Sequence, residues 1–190
     1  MSRIQIGEQL PDFTVDTQDR DGVRLHSLFK GITILRVLRY VGCPTCRIDI
    51  HDILARYDEF TSRGAQVLVV MQSSRESLRA QLAGEDRVLT FVCDTDLQIY
   101  KALAIDPAKD RDALIGGADP SAWAAKRARA DAAGYLHGPS EGVELQLPAM
   151  FIVDEAGKVL YAHYGKTIPD IPTVDEMLVI LDGLNPGDGF

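Results

Sequence analysis

Two cysteines separated by two residues, Cys43 and Cys46, are the residues whose type and spacing most clearly indicate chemistry. Attack on a substrate by one thiolate and resolution by the other would be an intramolecular step between such close sulfurs. Arg39 and Arg47 flank the pair and can add positive potential. Half of a zinc site is a weaker interpretation, because a closed site needs two more ligands. Two inert core cysteines are the remaining alternative, and a redox-active dithiol is the prediction.

The pair lies where a predicted strand passes into a predicted helix. Residues 32–40 are rich in β-branched and aliphatic side chains, and apolar residues then recur at helical spacing from Ile50 to Thr61. A second apolar run, 65–71, follows Gly64, which can end the helix. This order predicts a right-handed strand–helix–strand unit with parallel strands.

A helix N-terminus lowers the pKa of a nearby thiol, because its unpaired N–H groups and the helix dipole favour the thiolate. The thiol pKa can then fall from about 8.5 into the range of roughly 3.5 to 7.5. Pro44 fits the first helical position, where no N–H is required. By this argument Cys43, exposed at the cap, attacks and a buried Cys46 resolves.

The composition is that of an ordinary globular protein, with 46% hydrophobic and 25% charged residues. A length of 190 residues favours a single domain, 1–190. The net charge of −8 argues against nucleic-acid and anionic-membrane partners. No apolar run approaches the roughly 20 residues of a membrane span, so a reducing cytoplasm is the expected compartment. A C-x-x-C pair there is more often catalytic or metal-binding than structural.

The remaining pattern supplies further strands and helices. Asp21-Gly22 predicts a hairpin turn, and Asp119-Pro120 opens a helix in the weakly patterned segment 107–146, a predicted insertion that could shape or cover a substrate surface. The other predicted elements are a helix from 73–74 to near Gly84, a strand over 87–93, a helix over 97–104, strands over 149–154 and 158–164, and a helix capped by Thr173 that ends at Gly183.

Three motifs resemble the thioredoxin-fold redoxins, in particular the peroxiredoxin-like (AhpC/TSA) family. They are Gly7-x-x-Leu10-Pro11-Asp12-Phe13, the Leu38–Arg47 stretch with Gly-Cys-x-x-Cys-Arg, and Asp94–Leu103. The resemblance covers roughly 7–105 and 147–183. It implies an α/β, thioredoxin-like fold, with a central mixed sheet flanked by helices, an N-terminal β-hairpin extension and a helical insertion.

The resemblance also implies roles for particular residues. Pro44 and Thr45, between the cysteines, become supporting residues. Leu147-Pro148 becomes a cis-proline dipeptide that faces the cysteines, although a trans proline opening an edge strand is an alternative. By the peroxiredoxin pattern Cys46 attacks and Cys43 resolves, so which thiol attacks stays open.

Two departures from the family pattern are visible. Typical peroxiredoxins have Thr or Ser where Cys43 stands, Pro where Arg39 stands, and a peroxide-polarising Arg where Pro148 stands. Arg39 or Arg47 would therefore have to substitute for that arginine. Thioredoxins hold a buried acid where an ungapped count places Val37, so the chain is not an ordinary thioredoxin either.

Together these features predict a cytoplasmic thiol redox enzyme with a Cys43–Cys46 dithiol/disulfide cycle. Its expected substrate is a small peroxide or a disulfide, and its reductant an external thiol such as a thioredoxin-like donor. No metal or organic cofactor is implied, and a homodimer is allowed. A thiol–disulfide oxidoreductase without efficient peroxidase activity and a redox-responsive binding protein are the alternatives.

Overall fold

One mixed sheet forms the centre of the computed structural model, which describes residues 2–82 and 88–184. Within these residues the sheet has seven strands in the order β2-β1-β5-β4-β3-β6-β7. The strands are Thr14–Thr17 (β1), Val23–Arg24 (β2), Ile32–Val37 (β3), Ala65–Met71 (β4), Thr90–Cys93 (β5), Ala149–Val153 (β6) and Val159–Tyr164 (β7).

Helices cover both faces of this sheet. A 3₁₀ helix spans Leu25–Leu28, and the α-helices are Pro44–Ala55 (α1), Tyr57–Thr61 (α2), Arg75–Gln81 (α3), Gln98–Ala102 (α4), Arg111–Ile115 (α5), Ser121–Ala132 (α6) and Val174–Leu184 (α7). The α/β architecture, the mixed sheet and the flanking helices are those that the sequence predicted.

The predicted strand–helix–strand unit is confirmed. β3 and β4 pair in parallel, from Ile32 opposite Ala65 to Val37 opposite Val70. The helix between them is interrupted at Arg56, whose φ of −129° leaves the helical region and separates α1 from α2. Its first turn therefore lies at the carboxyl end of β3, at the edge where α/β proteins commonly bind ligands.

The apolar strands lack an alternation of polar and apolar residues because both faces of the sheet are covered. Ile34 packs in a cluster with α1 and α7, whereas its neighbour Leu35 packs in a second cluster on the other face, with α4. A strand covered on both faces needs no polar alternation. The N-terminal hairpin is also confirmed: β1 and β2 pair antiparallel around Gly22, at φ +60°.

The segment 107–146 has its own small core. Ala108 and Leu114 pack with Ile168 in an apolar cluster separate from the two large ones. The predicted helix after Asp119-Pro120 is α6, but α5 stands in a stretch where no helix was predicted. Five residues carry too little periodicity to be recognised from sequence.

Among the predicted ends of elements, one can be compared with the structure and three fall outside the described residues. Thr173 caps α7 as predicted, because its hydroxyl accepts the Glu176 N–H and the Glu176 carboxylate accepts the Thr173 N–H. The predicted helix end near Gly84, the strand start at 87 and the frayed tail 185–190 lie outside the described residues. None of the helices in 2–82 and 88–184 is long and apolar enough to cross a membrane.

Candidate active site

The cysteine pair occupies the beginning of α1, as predicted. Cys43 is the N-cap residue with extended backbone angles (φ −82°, ψ 116°), Pro44 is the first helical residue, and Cys46 completes the first turn. A tight turn from Tyr40 leads into the cap, because the Cys43 N–H donates to the Tyr40 carbonyl over 3.1 Å. All three cysteines of the chain, including Cys93, are free thiols.

Both sulfur-bearing residues are buried, but in different surroundings. Cys43 is 2% exposed and Cys46 is 4% exposed, so the prediction of an exposed Cys43 is wrong. Cys43 nevertheless lines a cleft of about 100 Å³, together with Pro44 and Thr45, whereas Cys46 does not line it. A small substrate can therefore reach Cys43 first.

The surroundings of Cys43 favour its thiolate. A hydrogen bond from the Cys46 thiol is the largest favourable contribution, and burial opposes it. The Arg39 guanidinium lies 3.6 Å from the Cys43 sulfur, and the Thr45 hydroxyl lies 3.1 Å from it. With the backbone N–H of Cys46, these groups lower the pKa of Cys43 to about 6.

Cys46 shows the opposite behaviour. Its burial, followed by its hydrogen bond to Cys43 and the negative charge of that thiolate, raises the pKa of Cys46 well above the ordinary thiol value. One thiol of the pair is thus anionic at neutral pH while the other keeps its proton. This asymmetry favours Cys43 as the attacking sulfur and Cys46 as the resolving one.

Arg39 is held in place by an acid from a distant part of the chain. Its Nη2 lies 2.9 Å from Glu144 Oε1, and the Arg39 side chain is 7% exposed. Tyr40 OH also contacts the Glu144 carboxylate, at 3.0 Å from Oε2. Glu144 therefore fixes the guanidinium that faces Cys43, although it lies 105 residues away from Arg39 in sequence.

Tyr40 connects this ion pair to two further polar groups. Its hydroxyl lies 3.1 Å from His137 Nε2 and 3.3 Å from Ser140 Oγ. Burial raises the pKa of Tyr40 to about 12, so the phenol stays protonated. Neither this tyrosine nor Glu144 is recognisable as a site residue from the sequence, because no local motif links positions so far apart.

Residues 137–144, which we name the strap, cross directly over the turn that precedes Cys43. The Gly138 N–H donates to the Gly42 carbonyl over 2.8 Å. Glu141 accepts from the Ser73 hydroxyl at 2.6 Å, and the Val143 N–H donates to Gln72 Oε1 at 2.6 Å. The strap is therefore fixed to the ends of both β3 and β4.

Gly42 leaves the room that the strap needs. A Cβ atom there would lie 2.5 Å from the Pro139 carbonyl oxygen. We expect Gly42→Ala to displace the strap and to lower the free energy of unfolding by about 1–3 kcal/mol. Gly183→Ala in α7 is the control, since nothing lies within 4 Å of its Cβ position. Chemical denaturation of both variants checks this, and equal stability of Gly42→Ala and wild type would contradict the close approach.

The segment 107–146 supplies most of the cleft walls. Trp123 and Arg127 come from α6, and the remaining contributors from this segment are Arg111, Leu114, Ile115, His137, Glu144 and Leu145. The segment therefore lines the cleft at Cys43, and its role in shaping or covering a substrate surface stays a prediction. The cleft lining includes both apolar side chains and three arginines, Arg39, Arg111 and Arg127.

Two of the predicted supporting residues, Arg47 and Pro148, do not line the cleft. The Arg47 guanidinium donates to the Gln81 carbonyl and stacks over the Tyr135 ring, and it does not line the cleft. The Leu147–Pro148 peptide is trans, since no described peptide bond is cis, so the cis-proline prediction is wrong. Pro148 instead leads into β6, where its carbonyl accepts the Gly165 N–H.

Within 2–82 and 88–184, no group of three or more His, Cys, Asp or Glu side chains is arranged to hold a metal ion. Cys43 and Cys46 contact an arginine, a threonine and each other. The site thus has the composition of a dithiol centre. Fold and site together define a thiol-based redox protein.

Comparison with known proteins places the chain among relatives of this kind. The AhpC/TSA family matches residues 6–162, and the chain belongs to this family. "Putative peroxiredoxin bcp" of Helicobacter pylori (strain J99) is 24% identical over 105 residues, which cover 54% of this chain and 69% of that protein.

Solved structures show the same fold. The reduced 2-Cys peroxiredoxin of Plasmodium vivax superposes with a TM-score of 0.65 at 18% identity, covering 95% of this chain and 82% of its own. Peroxiredoxin Q of Xanthomonas campestris gives a TM-score of 0.63 at 16% identity, with 90% of each chain covered. The fold is therefore thioredoxin-like, and the protein is a peroxiredoxin-like, thiol-dependent oxidoreductase that acts on peroxides.

Proposed function

We propose that the enzyme reduces a small peroxide with Cys43 as the attacking thiolate and Cys46 as the resolving thiol. The difference between the two pKa values carries this proposal, because only Cys43 is anionic at neutral pH. Its position in the cleft, where Cys46 has no surface, points the same way.

The oxidative half-reaction follows from this assignment. The Cys43 thiolate attacks one peroxide oxygen, the O–O bond breaks, and the other oxygen leaves as water or an alcohol after taking up a proton. Cys43 becomes a sulfenic acid. Arg39 stabilises the thiolate and lies close enough to donate to the departing oxygen, so it takes the place of the arginine that the family has at Pro148.

The reductive half-reaction returns the dithiol. The Cys46 sulfur attacks the Cys43 sulfenic acid, water leaves, and a Cys43–Cys46 disulfide forms. An external dithiol, for which a thioredoxin-like protein is the proposed donor, then supplies two electrons and two protons. The position of both cysteines on the first turn of α1 and the interaction of their thiols support this step.

A recycling assay tests this proposal against its alternatives. Reduced protein is incubated with excess hydrogen peroxide, thioredoxin, thioredoxin reductase and NADPH, and NADPH consumption is followed. Sustained peroxide-dependent consumption is expected. Turnover of a disulfide substrate without peroxide turnover would identify a thiol–disulfide oxidoreductase, and a single oxidation without recycling would identify a redox-responsive binding protein.

The pH dependence of the oxidative step follows from the low pKa of Cys43. Since the thiolate forms as pH rises through about 6, the rate of peroxide reduction should be half-maximal near pH 6 and constant above pH 7. Stopped-flow measurement of the oxidation rate between about pH 4.5 and 8.5 checks this. A rate that rises only above about pH 8, as for an ordinary thiol, would contradict the assignment.

We also propose a reducing, cytoplasmic setting and a homodimer. In a reducing compartment a C-x-x-C pair such as Cys43 and Cys46 is more often catalytic than a structural disulfide, which is the role proposed here. β7 is the last strand in the sheet order. Residues 7–8 cover its outer edge at Val159, and the edge beyond Val159 is the surface through which two copies could pair. Light scattering of the reduced and oxidised protein determines the assembly.

A further inference from the structure

The closed site poses a problem of access for the reductant. A cleft of about 100 Å³ admits hydrogen peroxide, which is only slightly larger than water. A protein dithiol must instead bring its own sulfur into line with the bond between Cys43 and Cys46, which are 2% and 4% exposed. Some part of the cleft wall has to move before such a donor can react.

Helix α6 is a wall element that buries little apolar surface. Ala130 is its only buried residue, and two charged pairs join it to α1. Lys126 Nζ lies 2.7 Å from Asp49 Oδ2, and Arg129 Nη2 lies 2.8 Å from Asp52 Oδ1. The Arg129–Asp52 pair is 58% and 32% exposed and contributes little to stability. The Lys126–Asp49 pair is 12% exposed on each side, so it is the main polar attachment of α6 to α1.

The surroundings of α6 allow it to move independently. Its Trp123 packs in the small apolar cluster around Leu114, not in either of the large cores. Glycines with positive φ stand on both sides of the helix, Gly116 and Gly117 before it and Gly134 after it. A segment with few apolar contacts and glycine ends belongs to the least stable part of a fold and opens without global unfolding.

We propose that α6 is a lid that gates re-reduction by a protein dithiol but not oxidation by a small peroxide. This inference rests on the proposed dithiol cycle. With α6 displaced, a donor thiolate attacks the Cys43 sulfur of the disulfide, and Cys46 leaves as a thiolate and takes up a proton. The second donor thiolate then attacks the mixed disulfide and releases the Cys43 thiolate, so two electrons pass from the donor to the site.

The test separates the two half-reactions in a lid variant. Lys126→Gln/Arg129→Gln removes both charged pairs, and Asp49 keeps a partner because Arg36 Nη2 lies 3.2 Å from it. Arg129→Gln alone is the milder variant should the double variant fold poorly. The control is Arg63→Gln, which removes the pair between Arg63, just after α2, and Asp182 in α7. Its exposure is close to that of the Arg129–Asp52 pair.

Each protein is oxidised with diamide, so that the disulfide is formed whether or not peroxide is a substrate. Its reduction by reduced thioredoxin is then followed by stopped flow, and peroxide oxidation of the reduced form is measured separately. We expect the double variant to be re-reduced about three- to tenfold faster and Arg129→Gln about two- to fivefold faster. For the lid variants, the rate of peroxide oxidation and the equilibrium constant of disulfide reduction by glutathione should stay within about twofold of wild type. All rates of Arg63→Gln should stay within the same range.

Re-reduction at the wild-type rate, with hydrogen exchange showing that α6 has loosened, would overturn the lid. An equal acceleration of peroxide oxidation would overturn it as well, because the lid would then gate both steps. Failure of the proposed function looks different: the wild-type protein would not be oxidised by peroxide, while re-reduction after diamide would still report on α6. Failure to form any Cys43–Cys46 disulfide would overturn both.

Discussion

Cys43→Ser should lower the rate of peroxide reduction by at least about a thousandfold, because the variant has no thiolate in the cleft. Cys46→Ser should behave differently. Cys43 would still be oxidised by one equivalent of peroxide, but it would stop at the sulfenic acid and turnover with thioredoxin would be lost. Mass spectrometry of the oxidised variants and the recycling assay measure both effects.

Cys93→Ser is the matched control for this pair. Burial raises the pKa of Cys93 to about 11, and the residue does not line the cleft. Its replacement should therefore leave peroxide turnover within about twofold of wild type. The assignment is contradicted if Cys46→Ser cannot be oxidised while Cys43→Ser forms a sulfenic acid, because Cys46 would then be the attacking residue.

Arg39→Gln should have the second largest effect. It removes the positive charge 3.6 Å from the Cys43 sulfur, so the pKa of Cys43 should rise towards the ordinary thiol value of about 8.5. Loss of a charged donor at the reacting atoms should lower kcat/KM at neutral pH by about a hundredfold or more. Arg39→Lys keeps the charge but loses the contacts of the planar guanidinium, and we expect a partial recovery of activity.

A second buried arginine, Arg36 on β3, allows an effect on catalysis to be separated from an effect on stability. Arg36 pairs with Asp49 and donates to the Pro172 carbonyl at 2.6 Å, away from the cleft. Arg36→Gln should destabilise the fold as Arg39→Gln does, because each replaces a buried guanidinium that is held by an ion pair. It should nevertheless keep the wild-type pH profile of peroxide reduction. A shifted profile in Arg36→Gln, or an unshifted one in Arg39→Gln, would contradict the role of Arg39.

Much of the fold could be predicted because its signals are local. The apolar runs of β3 and β4, the Asp21-Gly22 turn and the Thr173 cap each depend on a few neighbouring residues. The resemblance added the family and the order of the later elements. The position of both cysteines on the first turn of α1 followed from Pro44 and the strand before it.

The polar surroundings of the site could not be predicted, since they depend on contacts between distant residues. The ion pair of Arg39 with Glu144 and the hydrogen bond of Tyr40 to His137 join segments about 100 residues apart. Nothing in the local pattern near residue 144 indicates an acid that faces the cysteines. The cis-proline prediction failed for a related reason, because it came from the resemblance and not from any contact of Pro148.

The main cause of the low pKa of Cys43 is not the one that the sequence indicates. Helix amides at the start of α1 were expected to be the main cause. The Cys46 backbone N–H does contribute, but the Cys46 thiol and the Arg39 guanidinium contribute more. The strand end that precedes the helix therefore matters as much as the helix itself.

The most direct measurement of the central claim is a pH titration of ultraviolet thiolate absorbance, recorded for wild type and Cys43→Ser. Their difference isolates the Cys43 thiolate without a reagent that must enter the cleft. Our account predicts a transition with a midpoint near pH 6 that is absent from Cys43→Ser. A difference that develops only above about pH 8, as for an unperturbed thiol, would contradict it.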